Sequence, residues 1–310
     1  MRVFVTGGGG FVGSNLVSVF ADRHGAEVLA PDHETVDLID GRLVRRAFAA
    51  TRPDAVVHAA IWNHPPGLIT DRRRAWAAYV GTTRNVVDAA NTVDARVVLI
   101  STDWVFDGTQ GPAAESDPPN PVNPYGFLKA ASELIVTGRA GRGTVARIAA
   151  VQGIHRGGRP MPRSQDAGFG YLVASLVAAL RARETFTVWD GPGLNRRATP
   201  TLASDAAELI WRALERDVDG ILHCCGGEHT DRVGLARRAV AAYGLDPELL
   251  TVGAPPAQAL PGDTPGAGTI PVDTRLDGTT TAATLDTQLP DLNTTLARLG
   301  AELESAVAPA

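Results

Sequence analysis

Tyr125 and Lys129 stand four residues apart in Tyr125-Gly126-Phe127-Leu128-Lys129. On a helix that spacing puts a phenol and an ammonium on one face, where both can address one site. A nearby cation favours phenolate, so Lys129 is expected to lower the Tyr125 pKa toward the range in which a phenol gives a proton to a carbonyl oxygen. Composition sharpens the pairing. Of 29 Lys plus Arg residues, 28 are Arg and Lys129 is the single Lys. With four Tyr in 310 residues, a lone Lys placed at random would follow a Tyr at this distance roughly once in 80 trials. Arginine would keep the charge but replace a compact ammonium with a broad planar fork. The competing reading of the pair is a solvated helix face.

A second constellation lies near residue 10, in Thr6-Gly7-Gly8-Gly9-Gly10-Phe11-Val12-Gly13 between a strand pattern and a helix pattern. Gly7 permits a tight turn, Gly10 lets backbone approach a pyrophosphate, and Gly13 lets the helix pack against the strand. Free N–H groups opening the helix would hold the phosphates. The spacing is G-x-x-G-x-x-G rather than the commoner G-x-G-x-x-G. Asp32 follows Gly13 by 19 residues, near the offset of a carboxylate that binds the adenosine ribose 2′-OH. No Arg occurs between Glu27 and Gly41 to welcome a 2′-phosphate, which tilts the cofactor toward NADH within NAD(P)H.

Positioning these groups requires alternating elements. Strand patterns cover residues 2–6, Glu27–Pro31, Asp54–His58, Arg96–Ile100 and Thr144–Ala149, with helices over Phe11–Arg23, Gly41–Ala50, Arg74–Ala90 and Tyr125–Val136. Each strand is a nearly continuous apolar run, as in a parallel sheet covered on both faces. The fold class is therefore α/β, a doubly wound parallel sheet of Rossmann type. Later elements are a helix near Tyr171–Arg181, a strand near Phe186–Trp189, a helix over Ser204–Leu214, a strand over Gly220–Cys224 and a helix over Asp231–Tyr243. Two Gly/Pro-rich stretches, Gly153–Gly168 and Ala254–Pro271, read as lids or binding loops. A dinucleotide-binding unit is expected over 1–152 plus about 203–225. A smaller, discontinuous substrate-binding lobe would take about 153–202 and 226–310.

A net charge of −5 argues against a nucleic-acid partner, which normally meets a concentrated basic face. No apolar run suffices to span a bilayer, and no signal peptide is read at the N-terminus, so a cytoplasmic location is expected. The two Cys, Cys224 and Cys225, are neighbours on a strand and point to opposite faces, which disfavours a disulfide or metal pair. No local acidic cluster calls for a metal.

With the glycine turn, Tyr125/Lys129 and Ser101-Thr102-Asp103-Trp104-Val105-Phe106-Asp107-Gly108 in place, the chain resembles the extended short-chain dehydrogenase/reductases. Within them it is similar to the dTDP-4-dehydrorhamnose reductase family, which shows S-T-D-Y-V-F-D-G, an acidic and proline-rich loop, then N-x-Y-G-x-x-K. The resemblance implies a catalytic set of Thr102, Tyr125 and Lys129. Thr102 would bind the substrate carbonyl, Tyr125 would protonate its oxygen, and Lys129 would hold the nicotinamide ribose. Ser101 is the fallback for Thr102. The implied NAD(P)H contacts are Gly7, Gly10, Phe11, Val12, Gly13, Asp32, Asp37, Leu38, Ala59, Ala60, Tyr125 and Lys129. Asp103, Trp104, Asn63 and Arg197 would face a nucleotide-sugar substrate, with Arg196 and Arg197 suited to bind a diphosphate bidentately. The resemblance also admits a homodimer.

Two departures bear on function. Trp104 replaces the family's usual Tyr, and Tyr79 stands where many extended members have Asn, so that Asn's supporting role is absent or taken by another group. His64, beside Pro65 and Pro66, is expected to be surface structure. The leading reading is a reductase of the 4-keto group of a nucleotide-linked deoxysugar. A dehydratase or epimerase is the second, disfavoured because Trp104 replaces the Glu of T-D-E. The third is a non-catalytic, dinucleotide-binding regulatory subunit, since the resemblance extends to the regulatory subunit of methionine adenosyltransferase. If Lys129 serves the site, Lys129→Arg will weaken dinucleotide binding and turnover, measured by fluorescence titration and steady-state rates; unchanged values would make the lone lysine an accident of composition.

Overall fold

Apolar residues at both parities along each strand require cover on both faces, and the structure supplies it. The computed structural model describes residues 1–158, 164–257 and 268–307. In its first half, β1 (Arg2–Thr6), α1 (Phe11–Ser18), β2 (Glu27–Leu29), α2 (Gly41–Thr51) and β3 (Ala55–His58) alternate. They are followed by α3 (Pro65–Thr70), α4 (Arg72–Trp76), α5 (Thr82–Thr92), β4 (Arg96–Thr102), α6 (Pro124–Arg139) and β5 (Gly143–Ile148). The second half adds β6 (Val151–Gln152), α7 (Leu172–Arg181), β7 (Phe186–Trp189), β8 (Arg197–Ala198), β9 (Thr201–Leu202), α8 (Ala203–Glu215) and β10 (Gly220–His223). Then come β11 (Thr230–Asp231), α9 (Arg232–Ala242), β12 (Leu250–Gly253), β13 (Asp273–Thr274), α10 (Thr279–Thr284) and α11 (Leu292–Val307).

Six parallel strands form one sheet in the order β10-β5-β4-β3-β1-β2. Order reverses between β1 and β3, and ligands of such sheets bind outside the carboxyl ends of the strands at that crevice. Val3, Val5, Val98 and Ile100 pack with Leu16, Phe20 and Ile210 on one face. Phe4, Val97 and Leu99 pack with Phe48, Val86 and Val136 on the other. A separate core joins Phe169, Leu172 and Leu176 to Val188, Leu235, Leu292 and Leu296. The two cysteines fall in different cores, Cys224 in the first and Cys225 beside Phe106 and Leu276.

Several expected elements change shape. The strand expected over Glu27–Pro31 stops at Leu29, so Asp32 sits in a loop rather than at a strand end. The helix expected over Arg74–Ala90 is interrupted by a wider π turn, Ala77–Gly81, with Tyr79 buried in it. Beta-4 runs two residues past the expected end and carries Ser101 and Thr102 within the sheet. Helix α11, 16 residues long, was not anticipated from the sequence. The two long loops expected at Gly153–Gly168 and Ala254–Pro271 lie partly outside the described residues.

Close approach fixes where α6 begins. Asn123 caps it, its side-chain oxygen accepting from the Gly126 amide at 2.9 Å, and Pro124 occupies the first turn, where its missing N–H costs nothing. A Cβ on Gly126 would lie 2.0 Å from the Trp104 carbonyl oxygen, so only glycine lets this helix meet the short turn, Asp103–Val105, that follows β4. Gly126→Ala is therefore expected to lower unfolding free energy by roughly 1–3 kcal/mol, read as a lower urea midpoint; an unchanged midpoint would show that the helix start can yield.

Candidate active site

The carboxyl end of β4 and the first turns of α6 bring the chemistry together. Strand alternation separates Ser101 from Thr102. Ser101 shares a face with Val97 and Leu99, and its hydroxyl donates to Glu133 at 2.5 Å. Glu133 in turn receives Arg147, from Nε at 3.0 Å and from a terminal nitrogen at 2.8 Å. Ser101 is thus committed to a buried ion pair. Thr102 points the other way, its Oγ1 accepting from the Trp104 amide at 3.2 Å and donating to Asp103 at 3.0 Å. It also lies near enough to the Tyr125 phenol to favour its ionised form.

Burial governs the titration here. The Tyr125 phenol is pushed up, chiefly by burial and further by Asp103, Tyr171 and Asp166, with Thr102 opposing. The net shift is upward and Lys129 is not among its leading causes, which corrects the expected lowering by the lysine. The reason is geometric. The Lys129 Nζ donates to the Ile100 carbonyl at 2.6 Å and stands 5.9 Å from the centre of the Tyr79 ring. Its own pKa falls to about 8, burial outweighing Glu133. His58 is held neutral, lowered to about 3 by burial and then by Lys129, and its Nδ1 shares a 2.7 Å hydrogen bond with Thr6. Asp103 is pushed up to about 7 by burial, against hydrogen bonds from Thr274 and Thr102.

Three of the chain's four tyrosines gather at this point. Tyr79 and Trp104 each meet Tyr125 edge-on, at 6.1 and 5.9 Å between ring centres. Tyr171 contacts Phe11 at 5.0 Å and takes a left-handed backbone, φ +66°, which costs a non-glycine residue about 1–3 kcal/mol. The sequence singled out the lone lysine but not this phenol. Thr274 and Asn195 were also missed: Asn195 donates to Thr274 at 2.5 Å, and Thr274 donates to the second oxygen of Asp103. Thr274 lies in Pro271–Asp277, a segment whose role only the folded lobe reveals.

The glycine turn is built for close approach. Gly7 has φ +71°, and a Cβ there would come within 2.7 Å of Ala60; one on Gly13 would lie 2.0 Å from the Gly7 oxygen. The amides of Ala59 and Ala60 donate to the Thr6 carbonyl and hydroxyl at 3.2 and 3.3 Å, joining β1 to β3. No side chain caps α1 at Gly10, so the amides of Phe11, Val12 and Gly13 can serve an anion. These residues fit a dinucleotide. Asp32 is exposed and ionised, lowered by the hydroxyl and amide of Thr35. Asp37 accepts from the Ile39 amide at 2.9 Å, and the Leu38 carbonyl accepts from Asn85 at 2.9 Å.

Other candidates stand apart from the Tyr125 cluster. Asn63 and Arg197 are exposed, and neither shares a hydrogen bond or ion pair with Thr102, Asp103 or Tyr125 among the described residues. Arg196 pairs with Asp190 at 3.0 Å. His64 caps α3, accepting from the Gly67 amide at 3.0 Å, and stacks on Trp62. Among the described residues no group of three or more His, Cys, Asp or Glu could hold a metal, and no helix is long and apolar enough to cross a membrane.

This architecture has known relatives. The dTDP-4-dehydrorhamnose reductase of Streptomyces griseus is 30% identical over 249 residues, 79% of this chain and 77% of that one. The methionine adenosyltransferase 2 subunit beta of Rattus norvegicus is 30% identical over 255 residues, 79% and 72% of the two chains. A crystal structure of the Bacillus anthracis dTDP-4-dehydrorhamnose reductase in complex with NADP superimposes with a TM-score of 0.80 at 20% identity, covering 97% of this chain and 99% of that one. Residues 1–305 match the family described as RmlD substrate binding domain, and the chain belongs to that family.

Proposed function

We propose that the chain is a nicotinamide-dependent reductase of the 4-keto group of a dTDP-linked 6-deoxysugar. The observation that carries this reading is the grouping of buried Tyr125, Thr102 and Lys129 at the sheet end that also presents the glycine turn. Relatives named dTDP-4-keto-6-deoxy-D-glucose reductase and dTDP-4-dehydrorhamnose reductase support the substrate class. The raised phenol pKa keeps Tyr125 protonated at neutral pH, as a proton donor requires.

Gly7, Gly10, Phe11, Val12 and Gly13 would hold the pyrophosphate, Asp32 the adenosine ribose, and Lys129 the nicotinamide ribose, with Asp37, Leu38, Ala59 and Ala60 completing the site. The bound reduced nicotinamide supplies hydride. Tyr125 gives its proton to the carbonyl oxygen, and Thr102 hydrogen-bonds that carbonyl and helps position it. Asp103 and Trp104 flank the sugar, while Asn63 and Arg197 reach the nucleotide. NADH is the favoured cofactor, because ionised Asp32 repels a 2′-phosphate. We assign 1–152 with about 203–225 to the dinucleotide and the remaining segments to the substrate, and place the enzyme in the cytoplasm. The separation of the two large apolar cores supports that division.

The test follows absorbance loss of NADH or NADPH with dTDP-4-keto-6-deoxysugars. Tyr125→Phe should lose about 10²–10⁴-fold in kcat while still binding dinucleotide, and Thr102→Val should fall far more than Ser101→Ala. Oxidation of neither cofactor by any ketosugar would sink the reductase reading. Dinucleotide binding without turnover would then favour a regulatory subunit, like the relative named methionine adenosyltransferase 2 subunit beta.

A further inference from the structure

Two residues of residues 166–171 hold a left-handed backbone although neither is glycine. Phe169 has φ +79° and Tyr171 φ +66°, where Cβ crowds the following peptide. Such a conformation persists only where the surroundings over-determine it. Here they do. The Arg232 guanidinium donates to the Asp166 carbonyl at 2.8 Å, and the Asp166 carboxylate accepts from the Gly170 amide at 2.8 Å. Gln152 donates to the Phe169 carbonyl at 2.9 Å and accepts from the Val173 amide at 3.1 Å. The Tyr171 amide donates to the Val151 carbonyl at 3.2 Å, and the Phe169 ring is sealed in the core with Leu172 and Leu176.

This fixed segment touches the site at two places. At one end, a Cβ on Gly168 would lie 2.7 Å from the Trp104 indole, and Trp104 meets Tyr125 edge-on. At the other, Tyr171 lays its ring against Phe11, with 5.0 Å between centres and a tilt of 55°. Phe11 opens α1, and its amide is one of those left for the pyrophosphate. Tyr125 and Lys129 stand where the nicotinamide ribose would be held. Residues 168–171 therefore bridge the stretch between pyrophosphate and ribose. Phe169 is fully buried, whereas Tyr171 is half-buried, on Phe11.

We propose that Tyr171 is a dinucleotide-binding residue, its ring packing against the stretch between the pyrophosphate and the nicotinamide ribose. This rests on the dinucleotide reading of the glycine turn and holds for a reductase and for a non-catalytic subunit alike. A tyrosine offers a large contact area with few rotatable bonds, so it loses little freedom when a ligand arrives. The pinned backbone reduces that loss further. The left-handed turn carries the chain from the buried Phe169 into α7 and leaves the Tyr171 ring on the glycine turn, which gives the strain a use.

The experiment titrates the full chain as wild type, Tyr171→Gly and Tyr171→Phe with NADH, ADP-ribose and 5′-AMP, and measures each protein's urea midpoint. Glycine accepts a left-handed backbone and is tolerated at a helix N-cap, so Tyr171→Gly removes the ring without straining the chain. The lost ring contact and the relieved strain offset, and its midpoint should stay near that of wild type. NADH and ADP-ribose should bind it on the order of 10-fold more weakly. The adenosine monophosphate ends before the stretch in question and should bind as before, and Tyr171→Phe, which keeps the ring, should restore NADH binding. Unchanged NADH affinity in Tyr171→Gly overturns the proposal and leaves the glycine-turn site standing. Equal weakening of all three ligands with a lowered midpoint also overturns it, because the ring would then only brace Phe11. A wild type that binds no dinucleotide overturns both readings.

Discussion

Exclusion of water from the carboxyl ends of β3 and β4 is the constraint on which the rest depends. Removing solvent disfavours charge, raising acids and lowering bases. Tyr125 and Asp103 move up, while His58 and Lys129 move down. All four shifts have burial as their largest cause, so the site is a set of groups drawn toward neutrality together rather than a phenol activated by one cation. The two acids thereby hold their protons to higher pH than they would in water. The same low polarity strengthens the hydrogen bonds that orient them.

Holding that dry site needs polar partners that are fully committed. Ser101, Glu133 and Arg147 form one such cluster, and His223 joins it at 3.4 Å from Arg147. The His223 amide meets the Thr281 hydroxyl, which donates to Glu115 at 2.7 Å. The sheet end is thus tied to the loop before α6 and to α10. Removing one partner from such a cluster would leave a buried charge uncompensated, which typically costs about 3–5 kcal/mol. The neighbouring Thr102–Asp103–Thr274–Asn195 chain ties the same strand end to the lobe. One connection braces the sheet end and the other joins it to the segments that carry Thr274 and Asn195.

The fold and the core of the site were legible because their signals are local. Continuous apolar runs require a buried parallel sheet, and the glycine turn and Tyr125/Lys129 lie within single turns of chain. What escaped was non-local. Asp32 ends in a loop because β2 closes at Leu29, and nothing in the strand pattern marks that stop. Thr274 reaches Asp103 across 171 positions, and no periodicity links such residues. The electrostatic expectation for Tyr125 failed for a related reason. Spacing placed the ammonium on the correct face but could not show that the Ile100 carbonyl would hold it or that burial would dominate.

The same environment explains why lysine survives at one position in a chain otherwise given to arginine. Two fully buried guanidinium groups sit with carboxylates, Arg96 against Asp217 and Asp219 at 2.7 Å each and Arg147 against Glu133 at 2.8 Å, while a third, Arg232, is held by the Asn195 and Asp166 carbonyls and the Gln165 side chain. Among the described residues Lys129 has no ion pair with a carboxylate. Its neighbour Glu133 is already occupied by Arg147 and Ser101, and its direct partner is a neutral carbonyl. A guanidinium there would be a permanent charge with five donors to satisfy, whereas an ammonium is compact and can give up part of its charge as its pKa falls. Arg232 shows that neutral oxygens can hold a buried guanidinium when several converge on it; Lys129 has the one Ile100 carbonyl, which suits a compact ammonium.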